Sequence, residues 1–282
     1  MAIKACVVCG SQDYSPLYPA IVKCTSCDFV FAEEDVDEAE LFRIYQKNYF
    51  FGEEYSNYKT DREVLRKNFE LRLKVLFGFV DRSKHRRLFE IGSAYGFFLE
   101  LAREHFESVQ GIDITEDGVE HCTKALGLSV IQGDLLTTDL GGQTFDVVCL
   151  WDTIEHLRTP DLYLARISEH MPSGSLLAIT TGDIDSLNAR VKKGNWRLIH
   201  PPTHLQYFSL ATLTRMLERL GFEVIYHRHC GFYRSFDNTF YNLFVLRGRL
   251  PHIHKLVQKL GLARQFFYLN IFDIMYVIAR KN

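Results

Sequence analysis

From residue 87 onward, short apolar runs alternate with longer segments in which apolar residues recur at helical spacing. Apolar runs of this length are typical of buried strands, and the intervening segments have the length of helices. The seven runs that we predict as strands are 87–91, 109–113, 130–134, 145–151, 176–180, 222–229 and 273–280. Strands that alternate with helices are typical of an open parallel sheet covered on both faces, so we predict a doubly wound α/β fold.

Helical periodicity also predicts a long helix before the first strand, from about Asp61 to Val80. Its apolar positions recur at steps of three or four: Leu65, Phe69, Leu73, Leu76 and Val80. Two later helices have recognisable starts, because Thr159 and Ser209 are residue types favoured as N-caps. Pro160, in the first turn after Thr159, supports the first of these starts.

The composition excludes several classes of protein. Hydrophobic residues make up 47% of the 282 residues, which is enough for a large core. The 33 basic residues nearly balance the 35 acidic ones, so we expect no nucleic-acid partner. We find no secretory leader and no apolar run long enough for a transmembrane helix. A cytoplasmic location is the simplest interpretation, because the cysteines do not form a disulfide-like pattern.

Four of the seven cysteines lie near the N-terminus in two C-x-x-C pairs, which are Cys6/Cys9 and Cys24/Cys27. Four thiolates at this spacing are typical of a closed tetrahedral zinc site, which is structural because no position remains for water. We therefore predict a zinc ribbon over residues 1–31 that depends on its metal for folding. A redox C-x-x-C motif or coincidental thiols are the alternatives.

Residues 32–86 are predicted to form a helical connector or cap between the ribbon and the sheet. An aromatic stretch within it includes Tyr49 and Tyr55. These two tyrosines are candidates to line an acceptor pocket, or they pack the connector onto the core.

Polar and glycine residues follow the first three predicted strands at the points where the strands end. The candidates are Glu90, Gly92, Ser93 and Gly96 at the first strand, Asp113 and Ile114 at the second, and Asp134 and Leu135 at the third. Open α/β sheets bind ligands at the carboxyl ends of their strands, and a carboxylate there can accept hydrogen bonds from ribose hydroxyls. The glycine spacing differs from that of the dinucleotide fingerprint, so a nucleotide-binding protein with other chemistry stays an alternative.

The chain resembles class I S-adenosylmethionine (SAM)-dependent methyltransferases over roughly residues 87–230. The resemblance lies in the motifs EIGSAYG at 90–96, GID at 111–113, QGD at 132–134 and FDVV at 145–148. It implies a seven-stranded Rossmann-like sheet with a final antiparallel hairpin, in a methyltransferase domain over 87–282. It also implies that the glycine turn wraps the methionine part of SAM, that Asp113 holds the ribose, and that Asp134 faces the adenine. Trp151 would lie along the other side of the cofactor, and Ala94 departs from the usual middle glycine.

The segment after the fourth strand carries the candidate catalytic group. A hydroxyl acceptor needs a base, and histidine is suited to this at neutral pH. We predict His156 as that base, with Glu155 orienting it or contacting the acceptor. The alternative is that this pair only caps local backbone.

A loop rich in histidines, aromatics and prolines follows the fifth strand, at 195–208. We predict that Trp196, His200 and His204 contact the acceptor. A metal site at the two histidines and plain loop structure stay open as alternatives.

An insertion at 232–271 separates the last two strands. It is aromatic and basic, with one acid, Asp237, so it fits a lid, a dimer contact or a surface that meets anionic lipid. The oligomeric state stays unknown.

The combination of ribbon, connector and core resembles a group that acts on nucleotide-linked sugars and glycan intermediates. Members that methylate sugar carbon carry a further C-terminal domain, so we expect transfer to a sugar hydroxyl. Alternatives are carbon methylation of a keto-sugar, with His156 removing the proton, and a non-catalytic SAM-binding protein. RNA methylation is disfavoured because the ribbon contains only two basic residues, Lys4 and Lys23.

Overall fold

The computed structural model of the protein describes residues 5–33, 62–236, 239 and 265–282, and every structural statement below concerns these residues. Tyr49 and Tyr55 lie outside the described residues, as does most of the predicted insertion at 232–271.

The strands are β1 (Tyr14–Tyr18), β2 (Ile21–Cys24), β3 (Val30–Ala32), β4 (Arg87–Ile91), β5 (Ser108–Asp113), β6 (Ser129–Gln132), β7 (Val147–Trp151), β8 (Leu176–Gly182), β9 (Gln206–Tyr207), β10 (Phe222–His229), β11 (Phe232–Ser235), β12 (Phe266–Leu269) and β13 (Ile274–Lys281). The α-helices are α1 (Arg62–Leu76), α2 (Phe97–Ala102), α3 (Glu116–Glu120), α4 (Pro160–Ser168), α5 (Leu187–Lys192) and α6 (Leu210–Arg219).

Seven strands form the central sheet in the order β10-β13-β8-β7-β4-β5-β6. Strands β4 to β8 run parallel, and β13 lies antiparallel between β8 and β10. Successive side chains of β7 enter two different cores, since Val148 and Leu150 pack on one face and Val147 and Cys149 on the other. A sheet buried on both faces has strands that are apolar throughout, which confirms the predicted α/β fold with a seven-stranded sheet.

Two predicted helix ends and one predicted capping contact differ from the structure. Helix α1 ends at Leu76 rather than Val80, because Gly78 follows in a turn and glycine weakens a helix. The helix predicted to reach about Phe106 ends at Ala102. At the start of α4, Thr159 occupies the N-cap position but its side chain makes no capping hydrogen bond.

The N-terminal strands belong to a second, four-stranded sheet in the order β1-β2-β3-β9. Strand β9 comes from the loop after β8, and it pairs with β3 through Val30 and Tyr207. The ring of Phe29 lies 5.0 Å from that of Phe208 in the main core. Residues 5–33 are therefore tied to the loop that we predicted to cover the acceptor.

No helix in the described part of the chain combines the length and apolar character needed to cross a bilayer.

Candidate active site

The turn after β4 brings the backbone at 92–96 against the loop that follows β7. Gly92 and Gly96 have φ angles of 77° and 73°, which glycine adopts without steric cost. A Cβ atom at Gly92 would lie 2.7 Å from the side chain of Thr153. Ala94, in the middle of the turn, also has a positive φ of 46°. Only glycine at position 92 allows the tips of β4 and β7 to approach this closely.

The carboxylate of Asp113 joins the glycine turn to the start of α3. Its Oδ2 accepts a hydrogen bond from the Ala94 backbone at 2.7 Å, and its Oδ1 accepts from the backbone and hydroxyl of Thr115. Burial raises the pKa of Asp113, and these hydrogen bonds oppose that rise. Three of its roughly four acceptor positions are occupied, so binding both ribose hydroxyls requires a donor such as the Thr115 hydroxyl to turn away. Ile114, which follows Asp113, is half-buried.

Asp134 lies one strand further along the same edge, in the turn after β6. Its Oδ1 accepts from the backbone of Leu136 at 2.8 Å, and its Oδ2 accepts from the hydroxyl of Tyr163 on α4. Leu135, between these contacts, is buried. The structure thus brings Asp134 near Asp113, because the Gly133 backbone donates to the Asp113 carbonyl at 2.9 Å.

Two buried polar groups at the tip of β4 have no hydrogen-bond partner in the described chain. Glu90 is 2% exposed and its Oε2 is unpaired, as is the hydroxyl of Ser93. Burial, together with the nearby Asp113, raises the pKa of Glu90 well above its ordinary value. Buried polar atoms of this kind call for a partner, and a ligand amino group suits both of them.

These residues fit the ligand that the sequence resemblance implies. SAM carries an ammonium group, a sulfonium and two ribose hydroxyls, and the tips of β4, β5 and β6 present three acids. The glycine turn lies at the same edge, and within the described residues Oε2 of Glu90 and the hydroxyl of Ser93 have no hydrogen-bond partner. The charge and the donor set therefore agree with SAM.

Trp151 lies at the end of β7, but its ring packs into the core. It contacts Phe98 and Tyr276 edge-to-face, with ring centres 5.0 and 5.4 Å away. The guanidinium of Arg72 lies over the Trp151 ring and forms an ion pair with Asp152 at 2.5 Å. Sequence reasoning missed Arg72 and Asp152, although an arginine within the apolar face of α1 was a visible clue.

His156 contacts His204 of the predicted acceptor loop edge-to-face, with ring centres 4.6 Å apart. Their Nδ1 atoms face the carbonyls of Thr203 and Leu198 at 2.8 and 2.9 Å, so each Nδ1 carries the hydrogen. Each Nε2 is then the lone-pair nitrogen. Burial lowers the pKa of His156 to about 4 and lowers that of His204 further, so both rings are neutral at pH 7.

Glu155 completes this cluster. It is buried, and its Oε2 has no hydrogen-bond partner in the described chain. Burial raises its pKa to about 8, helped by the negative charge of Asp152. Ligand atoms of Glu155, His156 and His204 lie within 4.8 Å of one another, so the three can hold a metal ion as well as move a proton.

The remaining predicted acceptor residues have different surroundings. His200 stacks on His204 with ring centres 3.8 Å apart, and its Nδ1 lies 2.6 Å from the Thr203 hydroxyl. Trp196 is only 2% exposed, and its Nε1 donates to Asp273 at 2.9 Å. His200 and His204 are therefore brought together with His156, whereas the Trp196 ring is packed beneath the loop.

The four N-terminal cysteines converge in space. The Sγ atoms of Cys6 and Cys27 lie 3.6 Å apart, as do those of Cys9 and Cys24. Burial raises the pKa of the Cys6 thiol to about 11. All four sulfurs fall within 4.8 Å of one another, and a tetrahedral site with Zn–S bonds of about 2.3 Å needs sulfurs about 3.8 Å apart. The cluster can thus hold one zinc ion after small movements.

Comparison with known proteins agrees with this site. A family model described as "Methyltransferase domain" matches residues 59–227. A SAM-dependent methyltransferase from Archaeoglobus fulgidus has a similar structure, with a TM-score of 0.53 and 22% identity over 87% of this chain and all of that one. A possible histamine N-methyltransferase from Thermotoga maritima has a TM-score of 0.52 and 17% identity, covering 80% of this chain and 94% of its own.

The YcgJ protein of Bacillus subtilis has a TM-score of 0.53 and 15% identity, and the match covers 76% of this chain and 99% of that one. No curated protein matches the chain. At these identities the structural neighbours establish the fold, and the family match extends over more than half of the sequence. The chain therefore belongs to the methyltransferase-domain family and is a SAM-dependent methyltransferase.

Proposed function

We propose that the protein transfers a methyl group from SAM to a hydroxyl of a sugar, a nucleotide-sugar or a glycan intermediate. The observation that carries this proposal is the neutral His156 ring, whose Nδ1–H is held by the Thr203 carbonyl after the tip of β7. A hydroxyl is a poor nucleophile until its proton is removed, and a positioned imidazole can remove it. When bound, SAM supplies an electrophilic methyl group on its sulfonium, and we assign Glu90, Asp113 and Asp134 to hold it.

The backbone around His156 fixes which of its nitrogens acts. With the hydrogen on Nδ1, the Nε2 lone pair is the acceptor for the hydroxyl proton. The imidazolium that forms is costly in a buried site. Glu155, with its pKa raised to about 8, is mostly protonated at pH 7, and it offsets that cost when its own proton is lost. Glu155 is thus assigned to stabilise charge on His156.

On the acceptor side, His200 is our candidate for a direct contact, together with Tyr49 and Tyr55. Trp196 serves this side indirectly, because its hydrogen bond to Asp273 anchors the loop that carries His200 and His204.

A pair of matched histidine variants tests the base. We expect His156→Asn to lower kcat by roughly 10²- to 10⁴-fold, the usual contribution of a general base. The control is His170→Asn, because His170 is also buried and its Nδ1 also faces a backbone carbonyl, that of Gln143, at 2.8 Å. Turnover of a panel of sugars and nucleotide-sugars would be followed by methyl transfer from labelled SAM, with SAM affinity measured separately.

The base assignment fails if His156→Asn turns over as fast as His170→Asn. Analysis of the product separates oxygen methylation from carbon methylation of a keto-sugar, because only the former gives a methyl ether. SAM binding without turnover of any acceptor would instead favour a non-catalytic protein.

We also propose that Cys6, Cys9, Cys24 and Cys27 hold one structural zinc ion. The converging sulfurs support this, and thiolate zinc sites commonly supply the folding free energy of small ribbons. Metal analysis of purified protein is expected to give one zinc per chain, and Cys24→Ser is expected to lose it. Cys230→Ser is the control, because this cysteine lies outside the cluster; equal zinc content in the two variants would contradict the proposal.

A further inference from the structure

Two arginines lie at the end of the sheet beyond β8 and flank a single aromatic ring. The guanidinium carbons of Arg197 and Arg234 are 5.7 and 4.8 Å from the centre of the Phe232 ring. Phe232 and Arg234 are two residues apart on β11, so their side chains leave the strand on the same face. We call Arg197 and Arg234 the arginine pair.

The acid that pairs with Arg197 already accepts three hydrogen bonds. Asp273 is 1% exposed, and its Oδ1 accepts from Arg197 at 2.8 Å. Its Oδ2 accepts from Trp196 at 2.9 Å and from Asn188 at 2.8 Å. The carboxylate therefore balances the charge of Arg197, and three of its roughly four acceptor positions are occupied.

Asp183, another acid at this end of β8, is engaged with other groups. Asp183 follows β8, and its Oδ2 lies 2.8 Å from Nε2 of His229, while its Oδ1 accepts from the backbone of Asp185. In the described part of the chain, Arg234 has no ion pair. Burial and the proximity of Arg197 lower the pKa of Arg234. Among the residues that the structure describes, the arginine pair thus carries one positive charge more than its ion pairs balance.

Arg197 has an unused donor as well. Its Nε is buried and has no hydrogen-bond partner in the described chain. Guanidinium groups present several N–H donors in a plane and bind phosphate through two of them at once. Arg234 is half-buried and pairs with no described carboxylate, and Nε of Arg197 is a buried donor without a described partner. These features favour a bound anion such as phosphate, which accepts two N–H groups at once.

The arginine pair lies on the same edge of the sheet as the methyl-transfer site. In the register of the sheet, Trp151 of β7 pairs with Thr180 of β8, and Gly182 of β8 pairs with Ile274 of β13. Asp152 follows β7 and Asp273 precedes β13, and only β8 lies between these two strands. Two strand spacings place them roughly 10 Å apart. Arg197 binds Asp273, and the loop that carries His156 begins at Asp152. A phosphoryl substituent on a sugar bound at His156 is therefore our candidate ligand for the neighbouring arginine pair.

We propose that the arginine pair binds a phosphoryl or pyrophosphoryl group of the acceptor, so that the sugar methylated is a phosphate ester. This inference rests on the proposed transfer to a sugar hydroxyl. It narrows the acceptor class, because uncharged glycans lack the group that the pair would bind.

Binding of inorganic pyrophosphate to the full chain, saturated with S-adenosylhomocysteine, tests the site by calorimetry. We expect wild-type protein to bind it and Arg234→Gln to bind at least tenfold more weakly, with Arg234→Lys between them. Arg228→Gln is the matched control, because Arg228 is an exposed arginine on the adjacent β10. Unchanged affinity in Arg234→Gln, or no binding by wild-type protein, would overturn the site, and SAM affinity equal to wild type shows that the variant is folded.

Two further ligands separate the sources of the pyrophosphoryl group. A nucleoside diphosphate that binds more tightly than pyrophosphate indicates a nucleotide-linked acceptor, and a short prenyl pyrophosphate that does so indicates a lipid-linked one. Failure of the proposed function is distinct: no sugar would be methylated, yet Arg234→Gln would still weaken pyrophosphate binding. Equal kcat/KM for a phosphorylated sugar and its uncharged glycoside would overturn this inference while leaving methyl transfer intact.

Discussion

Several residues at the strand tips hold conformations or ionisation states that they would not adopt in water. Ala94 and Asp152 have positive φ angles of 46° and 49°, which cost an L-residue roughly 1–2 kcal/mol. Glu155 and His156 are both shifted toward their neutral forms by burial. Strain and desolvation of this kind collect at functional sites, where the surrounding structure maintains them.

Gly92→Ala is expected to damage the cofactor site specifically. The new Cβ would meet the Thr153 side chain at 2.7 Å, so the tips of β4 and β7 must separate and SAM affinity should fall at least tenfold. The control is Gly127→Ala, because Gly127 also has a positive φ but has open space around it. Calorimetry with SAM measures both variants; equal SAM affinities would show that the close approach at Gly92 does not matter.

Among the elements, α1 has the largest influence on the site without belonging to the sheet. Its residues Phe69, Leu73 and Leu76 are buried against the core that contains Trp151. The Tyr276 hydroxyl donates to the Arg72 carbonyl at 3.1 Å, which links α1 to β13 as well. The helix therefore holds the Asp152 side chain through Arg72 and restrains the start of the catalytic loop.

Arg72→Met should loosen that loop while keeping the packing of the aliphatic stem. The Arg72 and Asp152 side chains are 14% and 37% exposed, so their ion pair is neither fully buried nor fully at the surface. We therefore expect the free energy of unfolding to fall by about 2 kcal/mol, a value between those of surface and buried ion pairs. Urea unfolding measures this change, and kcat should fall in parallel.

Arg62→Gln, on the same helix, is the matched control. Arg62 is 48% exposed in its pair with Glu100, and Arg66 pairs with that carboxylate too, so the change should stay within about 0.5 kcal/mol. If Arg72→Met were as mild as this control, the restraint on Asp152 would be unimportant.

At the scale of the whole molecule, the N-terminal sheet and the catalytic half share one hydrogen-bonded strand pair. Strand β3 pairs with β9, and the backbone of Leu205 donates to the Glu155 carbonyl at 2.9 Å. The cysteine cluster is thus connected through two short steps to the loop that carries His204. We therefore expect loss of order in the N-terminal sheet to reach this loop, which we propose to contact the acceptor.

Removing the proposed zinc ion with a chelator should therefore reduce activity, although Cys6, Cys9, Cys24 and Cys27 do not belong to the candidate site. We expect faster amide hydrogen exchange at β3 and β9, and lower kcat with little change in SAM affinity. Exchange at β5 and β6, on the far edge of the sheet, serves as the internal control. Unchanged exchange at β9 after complete zinc removal would contradict this coupling.

The central sheet could be predicted because its strands are buried on both faces and so appear as unbroken apolar runs. The predicted ends of two strands differ from the structure. The third predicted strand ends at Gln132, because Asp134 accepts a hydrogen bond from Leu136 in the following turn. The fourth begins at Val147, because the carboxylate of Asp146 binds Arg87. Acids at strand tips were recognisable because sheet topology alone brings them to one edge.

Contacts between distant segments were beyond prediction from one sequence. Strand β9 has two residues, too few for any periodicity, so its pairing with β3 left no trace in the pattern. The ion pair of Arg72 joins residues 80 positions apart, and the bond between Trp196 and Asp273 joins residues 77 positions apart. Such partners depend on the folded topology rather than on local spacing.

The position of β13 between β8 and β10 has a consequence for synthesis. Strand β8 is made nearly a hundred residues before its neighbour, because Gly182 pairs with Ile274. Until the last strand emerges from the ribosome, β8 presents an unpaired apolar edge, and the nascent chain has to delay completion of its sheet. Truncation just before Ile274 would leave that edge open permanently, so even a short C-terminal deletion should yield aggregates rather than a smaller soluble enzyme.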